Sequence, residues 1–437
     1  MSNIPSLWLE FDENGAIDAG AATQLTQLLS APDIEDLVVM SHGWKNDKAD
    51  ATTLYRTLWT NACRNFPGGR ADKIIVAGVL WPAKAYQTDF DETALAAANA
   101  GGALAAGGAG AAVDLSQQQF DALLADFESF IGSSAADTIA AARVAAQQLN
   151  ATASHDLVKK GAAAVAIDAT SPDKELKSDS VSIGRASADR TQAQMLLSSL
   201  AAPPQLKLAP KVGSAMGLGS FATGLFNGAR AAVGRFLNQL TYFEMKKRAG
   251  LVGVSLNDKV LGKLAPTRAI RLHLVGHSFG GRLVTAAANR WIERPNVQLF
   301  SLVILQGAYS HNALSTQVSG AFPSVIGKPA GPIVITHTHN DLACTLAYAI
   351  ASRLSRDNTQ GIGDASDEFG AMGANGPQKI AAGASEPDNT TTVFAPKRGK
   401  INTFLADHYI IKTSQTDAHN NVTNETVGKL LASAIQA

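Results

Sequence analysis

Short apolar runs alternate with amphipathic helical stretches at both ends of this chain, and that alternation constrains its fold more than any other feature. Residues 6–13 alternate through Leu7, Leu9 and Phe11 and stop at the turn pair Asn14-Gly15. Residues 21–29 read as helix. Residues 37–41 form a continuous apolar run ending at His42-Gly43. Residues 50–66 place Leu54, Leu58 and Ala62 on one helical face, and residues 73–81 are another apolar strand, closed by Pro82. Strands that are apolar on both sides need helices over both faces of their sheet. The pattern therefore predicts an α/β protein with a mostly parallel central sheet and helices on both faces.

The pattern stops between residues 86 and 230. This segment is rich in Ala, Gly, Ser and Gln and reads as helices and loops without a strand, broken at Pro203-Pro204. A parallel sheet accepts such an insertion between a strand and its crossover helix without a change of topology. Alternation then resumes. Residues 231–250 and 255–264 read as two helices, 270–275 as strand, 279–291 as helix and 297–305 as strand. Residues 332–336 read as strand, 341–354 as helix, 356–396 as a long surface loop, 400–412 as the last strand and 423–435 as the last helix. The expected division is a core of residues 1–85 and 231–437 and a helical insertion, or cap, of residues 86–230.

Composition narrows the functions open to the chain. Its 437 residues carry 37 Lys+Arg against 37 Asp+Glu, so neither a nucleic-acid partner nor strong attraction to anionic lipid is expected. A hydrophobic content of 46% against 17% charged residues supplies a large core and excludes global disorder. Cys63 and Cys344, the two cysteines, exclude a disulfide-rich scaffold or a multi-Cys zinc module. They read as two buried thiols rather than one bridge. The first eleven residues show no signal peptide, so the default location is cytoplasmic, with signal-free export left open. Residues 94–113 carry no charge and are long enough to span a bilayer, but they are mostly Ala and Gly, and Gly101-Gly102 and Gly107-Gly108 weaken any helix. They read as a loosely packed cap segment. A second uncharged stretch, 212–229, has small residues four apart and an apolar set of Leu218, Phe221, Leu225 and Phe226. Peripheral membrane contact through the insertion stays open as an alternative, and the oligomeric state is not determined by sequence.

The strongest chemical signal is Gly276-His277-Ser278-Phe279-Gly280, which follows an apolar strand and opens a helix. That context gives G-x-S-x-G its meaning: a sharp strand-to-helix turn lifts the serine above the sheet, and its strained backbone needs small neighbours. The amide of Phe279 falls at a helix N-terminus, where N–H groups favour negative charge.

With this motif the chain resembles the α/β-hydrolase family, over residues 6–84 and 231–437 but not the insertion. His42-Gly43-Trp44 is similar to the family's HG-type loop. The resemblance implies an oxyanion hole made by the amides of Trp44 and Phe279, with Gly43, Gly276 and Gly280 as the small residues around it. Trp81-Pro82 and Leu305-Gln306-Gly307-Ala308 also look like stretches of bacterial members. A serine needs a base and the base an orienting carboxylate, and the family order is serine, acid, histidine. Asp341 lies shortly after a downstream strand and is the expected acid, with Asp364 and Asp367 in reserve; an Asp there is also a natural helix cap. His419, in the polar loop before the last helix, is the expected base. His408 is the reserve, its direction set by strand register.

His337-Thr338-His339-Asn340-Asp341 reads H-x-H-x-D, a fragment of a metallohydrolase signature. Position 342 is Leu and the remaining ligands are missing, so no metal and no cofactor are expected. His337 and His339 are expected to flank the acid's loop, with the pocket lining open to His339, and His277 to bond locally rather than act as base. The resemblance implies a serine esterase or lipase acting on a small-molecule ester or lipid, with residues 86–230 as a lid. The alternatives are an amidase, thioesterase or acyltransferase on the same triad, or a membrane-active or partner-binding protein working through the insertion.

Overall fold

A computed structural model describes residues 4–44, 46–83, 114–171, 173–201, 227–318, 320–347 and 370–437. In chain order the elements are β1 (Leu7–Glu10), α1 (Ala21–Leu29), β2 (Asp36–Ser41), α2 (Lys48–Cys63), β3 (Ile74–Leu80), α3 (Gln117–Ile131), α4 (Ala136–Gln147), α5 (Ala151–Ala164), α6 (Lys174–Ala188), α7 (Arg190–Ala201), α8 (Ala229–Ser255), β4 (Ile270–His277), α9 (Phe279–Arg290), β5 (Val297–Leu305), β6 (Ile333–His337), β7 (Ile401–Leu405) and α10 (Glu425–Gln436). The chain divides into two compact units. The first comprises residues 1–84, 245–345 and 371–437; the second comprises residues 85–244 and 346–370.

The first unit is built on a seven-stranded sheet in the order β1-β3-β2-β4-β5-β6-β7, with every pair parallel. The strands β2 to β6 are buried almost throughout, which is what their unbroken apolar runs require. Val38 and Met40 of β2, Val76 of β3, Val275 of β4, Val303 and Leu305 of β5 and Phe404 of β7 share one core cluster. Tyr55 and Leu58 of α2 and Leu430 and Ile435 of α10 complete it. On the opposite face Gly281 of α9 lies against Ile304 of β5.

Two expectations change here. Residues 231–264 do not form two helices. α8 runs unbroken for 27 residues and is followed by a π-type turn, Leu256–Val260, and a 3₁₀ turn, Leu261–Lys263. Gly253 serves packing rather than a break, since a Cβ there would fall 2.2 Å from the carbonyl oxygen of Leu283 in α9. The described part of the supposed surface loop 356–396 is not all surface either. Ala371, Met372 and Ala374 are buried, and the amides of Met372 and Gly373 donate to the carbonyls of Tyr309 and Gly307 at 2.8 and 2.9 Å. Residues 356–369 lie outside the described residues, as do 94–113, 212–226, the pair Pro203-Pro204 and the reserve acids Asp364 and Asp367.

The second unit is helical among its described residues. Phe120, Leu124 and Phe127 of α3, Leu157 and Val158 of α5, and Phe236 and Leu240 of α8 are among its large buried groups. Asp114 accepts from the amides of Arg230 and Ala231 and so caps α8. Among the described residues no helix is long and apolar enough to cross a membrane. Neither cysteine is in a disulfide; Cys344 is buried as expected, whereas Cys63, at the end of α2, is only half-buried.

Asp36, wholly buried at the start of β2, is a second anchor of the sheet. It accepts from Arg70, from Arg271 Nε at 2.8 Å and from His273 Nε2 at 3.0 Å, and the other ring nitrogen of His273 meets Ser301 Oγ at 2.8 Å. Burial alone would raise the Asp36 carboxyl; these donors and cations outweigh it and hold the group below its ordinary value. Its stabilisation is therefore full above the unfolded carboxyl pKa of about 3.9 and is lost as pH falls through the lower folded value. Asp36→Ala is expected to cost about 3–5 kcal/mol, because it strands buried partners. Urea unfolding at neutral pH measures this, and a loss below about 1 kcal/mol contradicts it.

Candidate functional site

The order of strands predicts where a site can form. From β2 the chain moves outward to β3, and from β4 onward it moves the other way, so the crevice of an open parallel sheet opens between the C-terminal ends of β2 and β4. Ser41 and Gly276 are register partners at that point. His42-Gly43-Trp44 follows β2, and Ser278 follows β4.

Ser278 is the residue between β4 and α9, with φ 58° and ψ −126°. A non-glycine residue with such a backbone is strained and persists only where its surroundings enforce it. Here the Ser278 amide donates to Leu305 O at 3.0 Å, and its carbonyl accepts from the Gly281 amide at 3.0 Å. The glycines make room. A Cβ on Gly276 would lie 2.3 Å from Gly280 O, and one on Gly280 would lie 2.3 Å from Ser41 O. The β2 loop is pinned in turn. Tyr55 Oη accepts from the His42 amide and donates to Val79 O, both at 2.7 Å. Trp81 Nε1 donates to His42 O at 3.1 Å, and its ring stacks on the His42 imidazole. Burial pushes His42 down to about 4, so its ring is neutral at physiological pH and serves the loop as a hydrogen-bonding strut.

Ser278, His419 and Asp341 come together. Ser278 Oγ is 2.9 Å from His419 Nε2, and His419 Nδ1 is 2.8 Å from Asp341 Oδ2. Asp341 is fully buried. Burial would raise its carboxyl, but the adjacent His419 ring, the Cys344 amide on Oδ1 (2.9 Å) and Gln306 Nε2 on Oδ2 (3.0 Å) hold it below the usual carboxylate value. Phe279 is the first residue of α9, so its amide lies at the helix N-terminus next to Ser278. Trp44 sets its ring edge-on to that of Phe279, with centroids 6.2 Å apart.

The reserve base is not part of this group. β7 ends at Leu405, so His408 is not within a strand but in the exposed turn beyond it. The H-x-H-x-D residues also part company. His337 Nε2 meets the Asp388 carboxylate, His339 Nδ1 meets Asp407 Oδ2 at 2.8 Å, and Asp341 takes His419. His339 thus braces the loop rather than reaching the serine. The segment 342–347 is a π-type turn, Ala343–Ala347, in place of the start of the expected regular helix.

Several supporting residues have partners that the motifs did not reveal; His277, expected to bond locally, instead reaches the histidine loop. His277 Nε2 donates to His419 O at 2.9 Å, tying the histidine loop to the serine turn. Burial, with the neighbouring His419, pushes His277 down to about 3, so it stays a neutral donor. Gln306, at φ 47°, donates both to Asp341 and to Gly373 O. Asp407 accepts from Thr338 Oγ1 and from the amide and ring of His339, clamping the loop that carries the acid. Only residue numbers far apart in the chain are involved, so spacing could not reveal them.

Comparison of the chain with protein-family models, with curated proteins and with solved structures finds no match in any of the three.

The approach of Gly43 to the serine side chain gives a test. A Cβ on Gly43 would lie 2.4 Å from Ser278 Cβ and 2.9 Å from its Oγ. Gly43→Ala is expected to cost about 1–3 kcal/mol through overpacking. A thermal melt of the variant measures it, and an unchanged melting temperature argues against this approach of the two loops.

Proposed function

We propose that this chain is a serine hydrolase of the α/β-hydrolase type that cleaves carboxylic esters. The observation that carries the reading is the continuous hydrogen-bonded line Asp341–His419–Ser278 at the C-terminal end of a parallel sheet, with the serine on a positive-φ turn. The sheet itself supports the α/β class; its strand order is not the usual order of the hydrolase fold, so the finer fold assignment rests on the serine turn and its partners.

In this reading Ser278 Oγ forms a bond to the acyl carbon while its proton passes to His419 Nε2. Asp341 keeps the ring proton on Nδ1 and stabilises the imidazolium. The amides of Trp44 and Phe279 receive the oxyanion, a role taken from the resemblance and favoured by their places beside Ser278. The tetrahedral intermediate collapses, the ester C–O bond breaks, and the leaving alcohol takes the proton from His419. Water then repeats the sequence on the acyl-enzyme. None of these steps calls for a cofactor. A cap role for residues 86–230, with an apolar acyl or lipid substrate, belongs to the same proposal and rests on the resemblance alone. Amide, thioester and acyl-transfer chemistry would share the acyl-enzyme and differ only in the acceptor. The membrane-active alternative depends on residues 94–113 and 212–229, nearly all of which lie outside the described residues.

The intact protein should be labelled covalently by a fluorophosphonate, and Ser278→Ala should take no label. Asp341→Asn should retain the serine but lower kcat about 10⁴-fold, because the ring then takes the wrong tautomer. Absence of label on the intact protein contradicts the reading.

A further inference from the structure

Cys344 has no part in the chemistry proposed above, yet its side chain sits against it. Its Sγ lies 3.8 Å from His419 Nδ1, the nitrogen that faces Asp341. One ligand atom each from Asp341, Cys344 and His419 lies within 4.8 Å of the other two. All three are donors that a borderline-soft divalent cation such as Zn²⁺ accepts. We infer that Asp341, Cys344 and His419 form an inhibitory site for a thiophilic divalent cation, bound in the position of the proton that His419 shares with Asp341.

Bond lengths support the fit. Zn–N and Zn–S distances of about 2.05 and 2.3 Å, set across the gap between Nδ1 and Sγ, give an N–Zn–S angle of roughly 120°, close to tetrahedral. A Zn–O distance of about 2.0 Å to Asp341 gives an N–Zn–O angle near 90° across the existing 2.8 Å contact. Zn–S and Zn–O bonds together span about 4.3 Å, while the three ligand atoms lie within 4.8 Å of one another, so the Cys344 and Asp341 side chains have to draw together slightly as the cation binds. The fourth position is left for water. Binding releases the thiol proton to solvent as the Zn–S bond forms, and the ring proton of neutral His419 moves from Nδ1 to Nε2.

That proton shift is why the site inhibits. With the metal on Nδ1, the nitrogen facing Ser278 Oγ carries a proton and has no lone pair to accept another. The serine loses its base while its own backbone turn is untouched. Metal and nucleophile activation therefore exclude one another. The inhibitory consequence rests on the hydrolase reading; the cation site itself does not.

The test uses the full chain with Cys63→Ala, so that Cys344 supplies the single thiol. Cd²⁺ is titrated while thiolate-to-cadmium charge-transfer absorption is followed. One equivalent should produce the band. Cys344→Ala keeps the amide that donates to Asp341 but lacks the thiolate chromophore; followed by equilibrium dialysis alongside the parent chain, it should bind Cd²⁺ at least about 100-fold more weakly, since losing a ligand costs more than the 10–100-fold of losing an outer partner. Cys344→Ser serves if the alanine variant does not fold. Zn²⁺ should slow fluorophosphonate labelling of Ser278, a chelator should restore it, and the cysteine variants should lose that sensitivity. Absence of a thiolate band, equal affinity in the cysteine variants, or an unchanged labelling rate with Zn²⁺ bound each overturns the inference. If the metal-free native protein takes no label, the hydrolase reading fails, while the cadmium titration still decides the cation site.

Discussion

The site depends on one strained residue. Ser278 holds φ 58° where β4 turns into α9, a conformation that costs on the order of 1–3 kcal/mol and has to be enforced by its surroundings. The enforcement comes from three backbones meeting at one point: the end of β2, the end of β4 and the first turn of α9. They approach so closely that a Cβ at Gly43, Gly276 or Gly280 would fall within about 2.4 Å of a neighbouring atom. The buried β strands supply the rigidity that makes this crowding tolerable. The parallel register of β2 with β4 then sets His42-Gly43-Trp44 beside the serine turn.

Asp341 and His419 reach Ser278 from loops rather than from regular elements, and each loop is tied down by its own hydrogen bonds. The histidine loop is held by His277, whose burial keeps it neutral and so fixes it as a donor to His419 O. The acid loop is held twice, by Gln306 on the Asp341 carboxylate and by Asp407 on Thr338 and His339. Because Asp341 is fully buried, its charge has to be met by donors on every side, and the Cys344 amide is one of them. The same demand brings the Cys344 thiol to 3.8 Å from His419 Nδ1.

Much of this arrangement was legible in the sequence. Continuous apolar runs located β2 to β6, and G-x-S-x-G between a strand and a helix singled out Ser278. The resemblance to the α/β-hydrolase family, through its order of serine, acid and histidine and the loops that carry them, then pointed to Asp341 and His419. What could not be read has a common cause, which is contact between residues distant in the chain. Gln306 reaches Asp341 across 35 positions and His277 reaches the loop of His419 across 142. The single long α8 was read as two helices; Gly253 within it is a close-packing position whose partner in α9 no local pattern reveals. β7 was read too long because apolar residues (Ala406, Tyr409, Ile410, Ile411) continue past its end at Leu405, which wrongly placed His408 in a strand. Asp36 belongs to the same group: a carboxylate at the start of an apolar strand is unremarkable until Arg70, Arg271 and His273 converge on it.

The central claim is that His419 presents an unprotonated Nε2 to Ser278 because Asp341 holds the ring proton on Nδ1. Nitrogen-15 and proton NMR of the histidine ring in the resting protein tests this most directly. The account predicts a neutral His419 with its proton on Nδ1, strongly deshielded and slow to exchange. A proton on Nε2, or a ring averaging freely between tautomers as in solvent, would contradict it.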